Sequence, residues 1–186
     1  MAADRWNIDP AHTNIEFSVR HLMISTVKGR FADFAGTIVA DESNLSNVSV
    51  DVTIQTASVD TRQPDRDTHL KSPDFFDVGK FPTLVFKGGQ IKGDINGDFH
   101  LTGSLTIRGV TKPITLDVTH EGRGKDPWGG ERLGFSAKAK VNRKDFGLAW
   151  NQTLETGGVV VGDEVKISVD VELVKVPAEQ KVAAAV

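Results

Sequence analysis

The residues of this chain best suited to acid–base or metal chemistry near neutral pH include five histidines, His12, His21, His69, His100 and His120. No two are spaced i, i+3 or i, i+4, so a three-ligand zinc site would need convergence over long range. There is no cysteine, which removes thiolate ligands, a thiol nucleophile and disulfides. The sequence also lacks G-x-S-x-G, a glycine-rich phosphate loop and a Ser–His–Asp grouping. Asp60, Asp65 and Asp67 are interleaved with Arg62 and Arg66, as in a solvated helix start. Two histidines stand apart because each continues an apolar stripe. His21 follows Ile15, Phe17 and Val19, and His120 follows Ile114, Leu116 and Val118. A neutral imidazole there can hydrogen-bond a carbonyl or a ligand's polar head, or be satisfied by a backbone carbonyl in an ordinary core.

The elements that place these stripes are strands. Period-two alternation predicts eight, near 13–22, 34–41, 48–56, 83–92, 97–107, 111–122, 133–144 and 164–176. The last puts Val165, Ile167, Val169, Val171 and Leu173 on one face and Glu164, Lys166, Ser168, Asp170 and Glu172 on the other. Short turns such as "GDINGD" favour antiparallel neighbours. Residues 63–82 break the pattern. Pro64 with Asp65 and Asp67 suits a first helical turn, and Ser72, Pro73 and Asp74 suit a second, giving two short helical pieces that bury Leu70, Phe75 and Phe76.

The expected fold is all-β, an eight-stranded antiparallel barrel with a short helical insertion, spanning 1–176 and followed by a tail over 177–186. Eight strands enclose an interior either filled by side chains or wide enough for a slender ligand. The small inward residues Gly103, Ala137 and Ala139 would leave room. The helical insertion would cover one mouth, with Arg62, Arg66 or His69 near its rim. Trp128 and Trp150, in turn regions, would line an entrance or anchor their own loops.

With 22 Lys+Arg against 25 Asp+Glu, the formal charge of −3 is interspersed along the chain, which argues against nucleic acid as a partner. No stretch approaches the roughly 18 apolar residues of a membrane span, and no secretory leader is recognisable. The expectation is a cytoplasmic protein, or a periplasmic or secreted one had a leader been removed.

"DPAHTNIEFSVRHLMISTVKGRFADFAGTI" (9–38), "DRDTHLKSPDFFDVGKFPTLVF" (65–86), "LTGSLTIRGVTKPITL" (101–116), "DPWGGERLGFSAKAKVNRKDFGLAWN" (126–151) and "GDEVKISVDVEL" (162–173) together resemble the YceI-like family over almost the whole chain. The resemblance implies a lipocalin-like barrel whose elongated tunnel binds polyisoprenoid, quinone-like or other long-chain amphiphilic lipids, often in a dimer. The expected ligand is thus a polyprenyl or quinone-like lipid, with no other cofactor, no metal and no catalysis. Expected lining residues are Phe17, Val19, Phe31, Phe34, Val52, Ile54, Phe86, Phe99, Leu101 and Phe135. Phe76 and Trp150 would contribute from the mouth, and His21 and His120 would meet a polar head. Two rivals stand beside this reading. One is an enzyme acting on such a lipid with His21 or His120 as acid or base. The other is a structural, partner-binding barrel with a filled core.

Overall fold

Val48, Val50, Val52 and Ile54 alternate with polar residues, and such a segment gains by burying one face against a second sheet layer or the far wall of a barrel. Here the far wall is the same sheet closed on itself. The computed structural model describes residues 3–41 and 44–177, apart from the side chains of 45–47. The expected tail therefore lies, beyond Pro177, outside the described residues.

Eleven strand segments build the wall: β1 (Asp4–Ile8), β2 (Asn14–His21), β3 (Ser25–Phe31), β4 (Phe34–Asp41), β5 (Asn44–Gln55), β6 (Val59–Asp60), β7 (Thr83–Gly93), β8 (Asp98–Ile107), β9 (Val110–Lys125), β10 (Glu131–Asn142) and β11 (Val161–Lys175). They occupy eight positions around an antiparallel barrel. β11 pairs with β2 along Val161–Asp170 and with β1 along Leu173–Lys175, so β1 and β2 form one kinked stave. β3 and β4 form the next, pairing with β2 and β1 respectively. β5 and β6 form the third, and β7 to β11 follow in order until β11 closes the ring. Closure leaves little of the sheet edge that would invite aggregation.

The eight staves match the eight expected strands, but two of them extend beyond the periodic stretch, through β1 and β3. β1 is a five-residue segment with Trp6 and Ile8 inward, too brief for the periodicity to register. β3 has Val27 and Phe31 inward, but Gly29 interrupts the stripe. That glycine has a use: a Cβ there would lie 2.4 Å from Cζ of Phe17, whose ring lies across it. Gly103, expected to leave room, does the opposite. A Cβ on it would lie 2.4 Å from the Lys87 carbonyl oxygen, so it permits two strands to approach at the Gly88–Gly103 pair.

The insertion contains one helix, α1 (Pro64–Lys71). Pro64 occupies its first turn, and Gln63 caps it by accepting from the backbone N–H groups of Asp65 and Arg66. The second helical piece does not form. Ser72 instead ends α1, its hydroxyl donating to the His69 carbonyl at 2.6 Å. The chain then reverses, with Phe76 N–H bonding to the Leu70 carbonyl and Val78 N–H to that of Lys71. This reversal turns Phe75 and Phe76 toward the barrel, which a continuing helix would not do.

Candidate functional site

Each stave sends its alternate residues inward, and they leave a cavity of about 800 Å³ along the barrel axis. Its middle is lined by aliphatic and aromatic side chains, among them Val50, Val52, Phe86, Leu101, Leu116, Ala137, Ile167 and Val169. Protein interiors rarely contain voids much larger than a water molecule. A sealed void of this volume would cost on the order of 19 kcal/mol at ~24 cal/mol per Å³, more than a domain's whole stability. It is therefore not a packing defect. Water is a poor filler too, since an ordered water needs two to four polar partners that the mid-section does not offer.

Thirteen residues expected to face the interior line the cavity: Phe17, Val19, His21, Phe31, Val52, Ile54, Phe76, Phe86, Phe99, Leu101, His120, Phe135 and Trp150. Phe34, the fourteenth, does not. It is buried in the core at the start of β4, opposite Ile54, without reaching the lining.

The two histidines end up far apart. His21 pairs with Val161 at the start of β11, whereas His120 is level with Phe135 and, across it, Val171. Ten residues of strand separate the two levels, roughly 30 Å. The imidazoles thus stand at opposite ends of the bore. Among the described residues neither ring has a hydrogen-bond partner; His120 meets the Phe135 ring at 5.1 Å. Just beyond His120 a bulge at Glu121–Gly122 shifts the parity of β9 and turns Arg123 toward the cavity, where it pairs with Glu131.

The end near His21, the lid end, is built from loops. α1 and the following turn bring His69, Leu70, Phe75 and Phe76 over the bore. The His69 ring packs edge-on to Phe75 at 5.0 Å and to Trp150 at 4.6 Å, and its Nε2 lies 2.8 Å from Asp74 Oδ2. Arg108 donates to the carbonyls of Pro73 and Phe75, tying this turn to the β8–β9 hairpin. Arg62, expected near the rim, is solvent-exposed, while Arg66 lines the cavity and is held by Thr61.

Arg143, which sequence reasoning missed, is the anchor of this end. It is only 5% exposed and donates to the carbonyls of Leu148, Trp150, Val161 and Gly162. Burial lowers its pKa from the usual arginine value, an effect partly offset by Asp163. Four carbonyls satisfied by one guanidinium bind the loop carrying Trp150 to the start of β11. A lone arginine in "NRKDFG" gave no sign of this.

The opposite end, the clasp end, is built from charges. Arg132 donates to Asp9 at 2.7 Å and Asp126 at 3.0 Å, and it also pairs with Glu172. Asp9 forms the kink between β1 and β2, where it also accepts from Ala11 N–H and contacts His12. Its pKa falls to about 2, chiefly through the bonds with His12 and Arg132. Asp9, His12 and Glu172 do present ligand atoms within 4.8 Å of one another, the long-range convergence that spacing could not reveal. Arg132 already occupies the two carboxylates. Lys175 links Asp4 and Glu131 and lies 5.5 Å from the Trp6 ring, which is 2% exposed. Trp128, at the tip of the β9–β10 hairpin, neither lines an entrance nor anchors its loop and is 87% exposed.

Comparison with known proteins bears on this geometry. A family model described as a YceI-like domain matches residues 6–173. A UPF0312 protein of Pseudomonas paraeruginosa is 49% identical over 151 residues, covering 80% of this chain and 78% of its own. Protein YceI of Salmonella newport is 43% identical over 161 residues, covering 87% and 81%. Among solved structures, a Campylobacter jejuni YceI protein is 36% identical with a TM-score of 0.72, over 85% of this chain and 90% of that one. A polyisoprenoid binding domain from Saccharophagus degradans, 13% identical, shares the fold with a TM-score of 0.68 over 92% and 98%. No described helix is long and apolar enough to cross a membrane.

Proposed function

Since the chain belongs to the YceI-like family, we propose that its bore takes up the hydrocarbon tail of a long-chain isoprenoid, polyprenyl or quinone-like, and carries or sequesters that lipid without chemical change. The observation that carries this reading is the cavity of about 800 Å³ whose mid-section is apolar on every side. Burying each CH₂ of a guest contributes about 0.8 kcal/mol, so ten carbons supply roughly 8 kcal/mol before ordering and immobilisation costs. Such a guest needs no strong polar anchor, and its selection rests on bore length and width. The Saccharophagus degradans neighbour, a polyisoprenoid binding domain, supports the same ligand class.

The arrangement favours a carrier over an enzyme. General acid–base catalysis needs a second group to orient or relay through the imidazole. Among the described residues neither His21 nor His120 has such a partner, and they stand at opposite ends of the bore. A filled structural barrel is disfavoured by the volume of the cavity.

Native mass spectrometry of protein purified without added lipid tests the reading. Expected are adducts whose masses, after extraction, belong to prenyl-tailed compounds. A bare protein mass, together with no uptake of offered prenyl quinones, would refute it.

A further inference from the structure

We propose that the tip of the β2–β3 hairpin docks the lid end of the barrel onto an anionic phospholipid bilayer, so that cargo passes between membrane and bore without crossing bulk water. This rests on the lipid-carrier reading above.

Four large apolar side chains are exposed among the described residues: Met23 at 61%, Ile24 at 78%, Trp128 at 87% and Val159 at 37%. A single exposed apolar residue needs no explanation, but a cluster at a functional opening does. Met23, Ile24 and Val159 form such a cluster. Leu22 N–H bonds to the Val160 carbonyl at 2.8 Å, and Met23 Sδ sits so close over Gly158 that a Cβ there would lie 2.3 Å from it. The hairpin tip and the 158–160 loop are thus one lip.

That lip is continuous with the bore. His21, Val160 and Val161, adjoining it in sequence and pairing, line the cavity. Its backbone is unusual as well. Leu22 and Met23 both adopt left-handed conformations, with φ 51° and 61°, in a turn closed by Ile24 N–H on the His21 carbonyl. Two consecutive left-handed residues in a hairpin turn are ordinarily Asn-Gly or Asp-Gly. Bulky apolar residues here work against the folding of an isolated hairpin, yet they put Met23 and Ile24 at the tip.

Charge names the partner. Toward its tip the hairpin carries Arg20 and Lys28 and no carboxylate; Arg30, farther from the tip, pairs with Asp60. Arg20 is exposed and braces the tip by donating to the Met23 carbonyl. The nearby acids on β11 are already paired, Asp163 with Lys144 and Arg143, and Glu164 with Lys140, which leaves Glu155 as the carboxylate of the 151–160 loop against Arg20 and Lys28. Apolar side chains projecting past two cations match an anionic lipid interface, where insertion and electrostatic attraction reinforce each other. Trp128, by contrast, stands singly at the clasp end beside Asp126.

The test is co-sedimentation of the full chain with phosphatidylcholine vesicles, with and without a minority of phosphatidylglycerol. The wild-type protein is expected to partition onto the anionic vesicles and to be released by high salt. The double variant Met23→Ser/Ile24→Ser should bind about tenfold or more weakly at an unchanged unfolding temperature. Lys28→Glu should weaken binding to the anionic vesicles, and Trp128→Ser should leave it intact. Absence of wild-type partition, or binding lost in Trp128→Ser but retained in the lip variant, overturns the proposal. Uptake of a fluorescent farnesyl probe from vesicle-free buffer reports on the carrier reading separately. Wild-type uptake without vesicle binding overturns the docking alone; no uptake overturns both.

Discussion

The two ends of the barrel are held by different physics. At the clasp end, carboxylates from the β1–β2 kink, the β9–β10 turn and β11 converge on Arg132, while Lys175 bridges β1 and β10. These pairs are partly solvated, so each contributes modestly and their joint effect is to fix where the staves meet. At the lid end one buried guanidinium holds two carbonyls of an irregular loop and two at the start of β11, and aromatic rings from α1's turn and that loop pack over the bore. The clasp shares its load among several ion pairs; in the lid the largest share of the loop's side-chain bonds falls to Arg143, with Asn151 and Arg108 beside it. An opening for a large guest is more readily made where few interactions must be released.

Breaking the lid should therefore have the largest effect. Arg143→Met takes the guanidinium donors from the carbonyls of Leu148, Trp150 and Gly162, while Val161 keeps Asn151 Nδ2 at 2.7 Å; buried unsatisfied groups cost about 1–3 kcal/mol each where water cannot replace the donor. A loss of about 3 kcal/mol or more is expected in urea unfolding. Hydrogen exchange should rise first over 147–161. A loss under about 1 kcal/mol would show that the loop is held by its other contacts.

The bore between the two ends is sharpened by filling it. Ile167→Trp, in the middle of β11, adds an indole to the cavity, and uptake of a prenyl quinone should fall by about tenfold or more while stability is retained, because room exists for the ring. Destabilisation by several kcal/mol with unchanged uptake would place the guest elsewhere.

The clasp gives the smallest effect. Asp9 has its pKa lowered to about 2 from an ordinary 3.8, so the stability it supplies is complete above the unfolded value and is lost as pH falls from about 4 toward 2. Allowing for solvent screening, Asp9→Asn should cost about 1 kcal/mol at neutral pH and almost nothing near pH 2. Equal destabilisation at both pH values would assign the loss to packing of the kink.

Much of the barrel was legible in the sequence because strand burial writes itself with a period of two: the dry face of β11 is Val165 to Leu173 without exception. What escaped is what that period cannot encode. Gly29 and Gly103 look like gaps in a stripe, yet they make room for the Phe17 ring and the Lys87 backbone. The bulge at Glu121–Gly122 reverses the parity of β9, turning Arg123 inward where alternation pointed to Gly122. Phe34 has inward parity, but neighbours in the core screen it from the cavity. Arg143 and Arg132 act through partners distant in sequence. "SPDFF" has the composition of a helix start, but burial of Phe75 and Phe76 over the bore overrode that local preference.

The central claim is that an apolar bore holds an oily chain by burial alone. Affinity measured across a homologous series of prenols tests it most directly. Burial alone would make affinity rise by about tenfold or more with each added isoprene unit until the bore is full, then level. Affinity independent of chain length, or set by the head group alone, would contradict it.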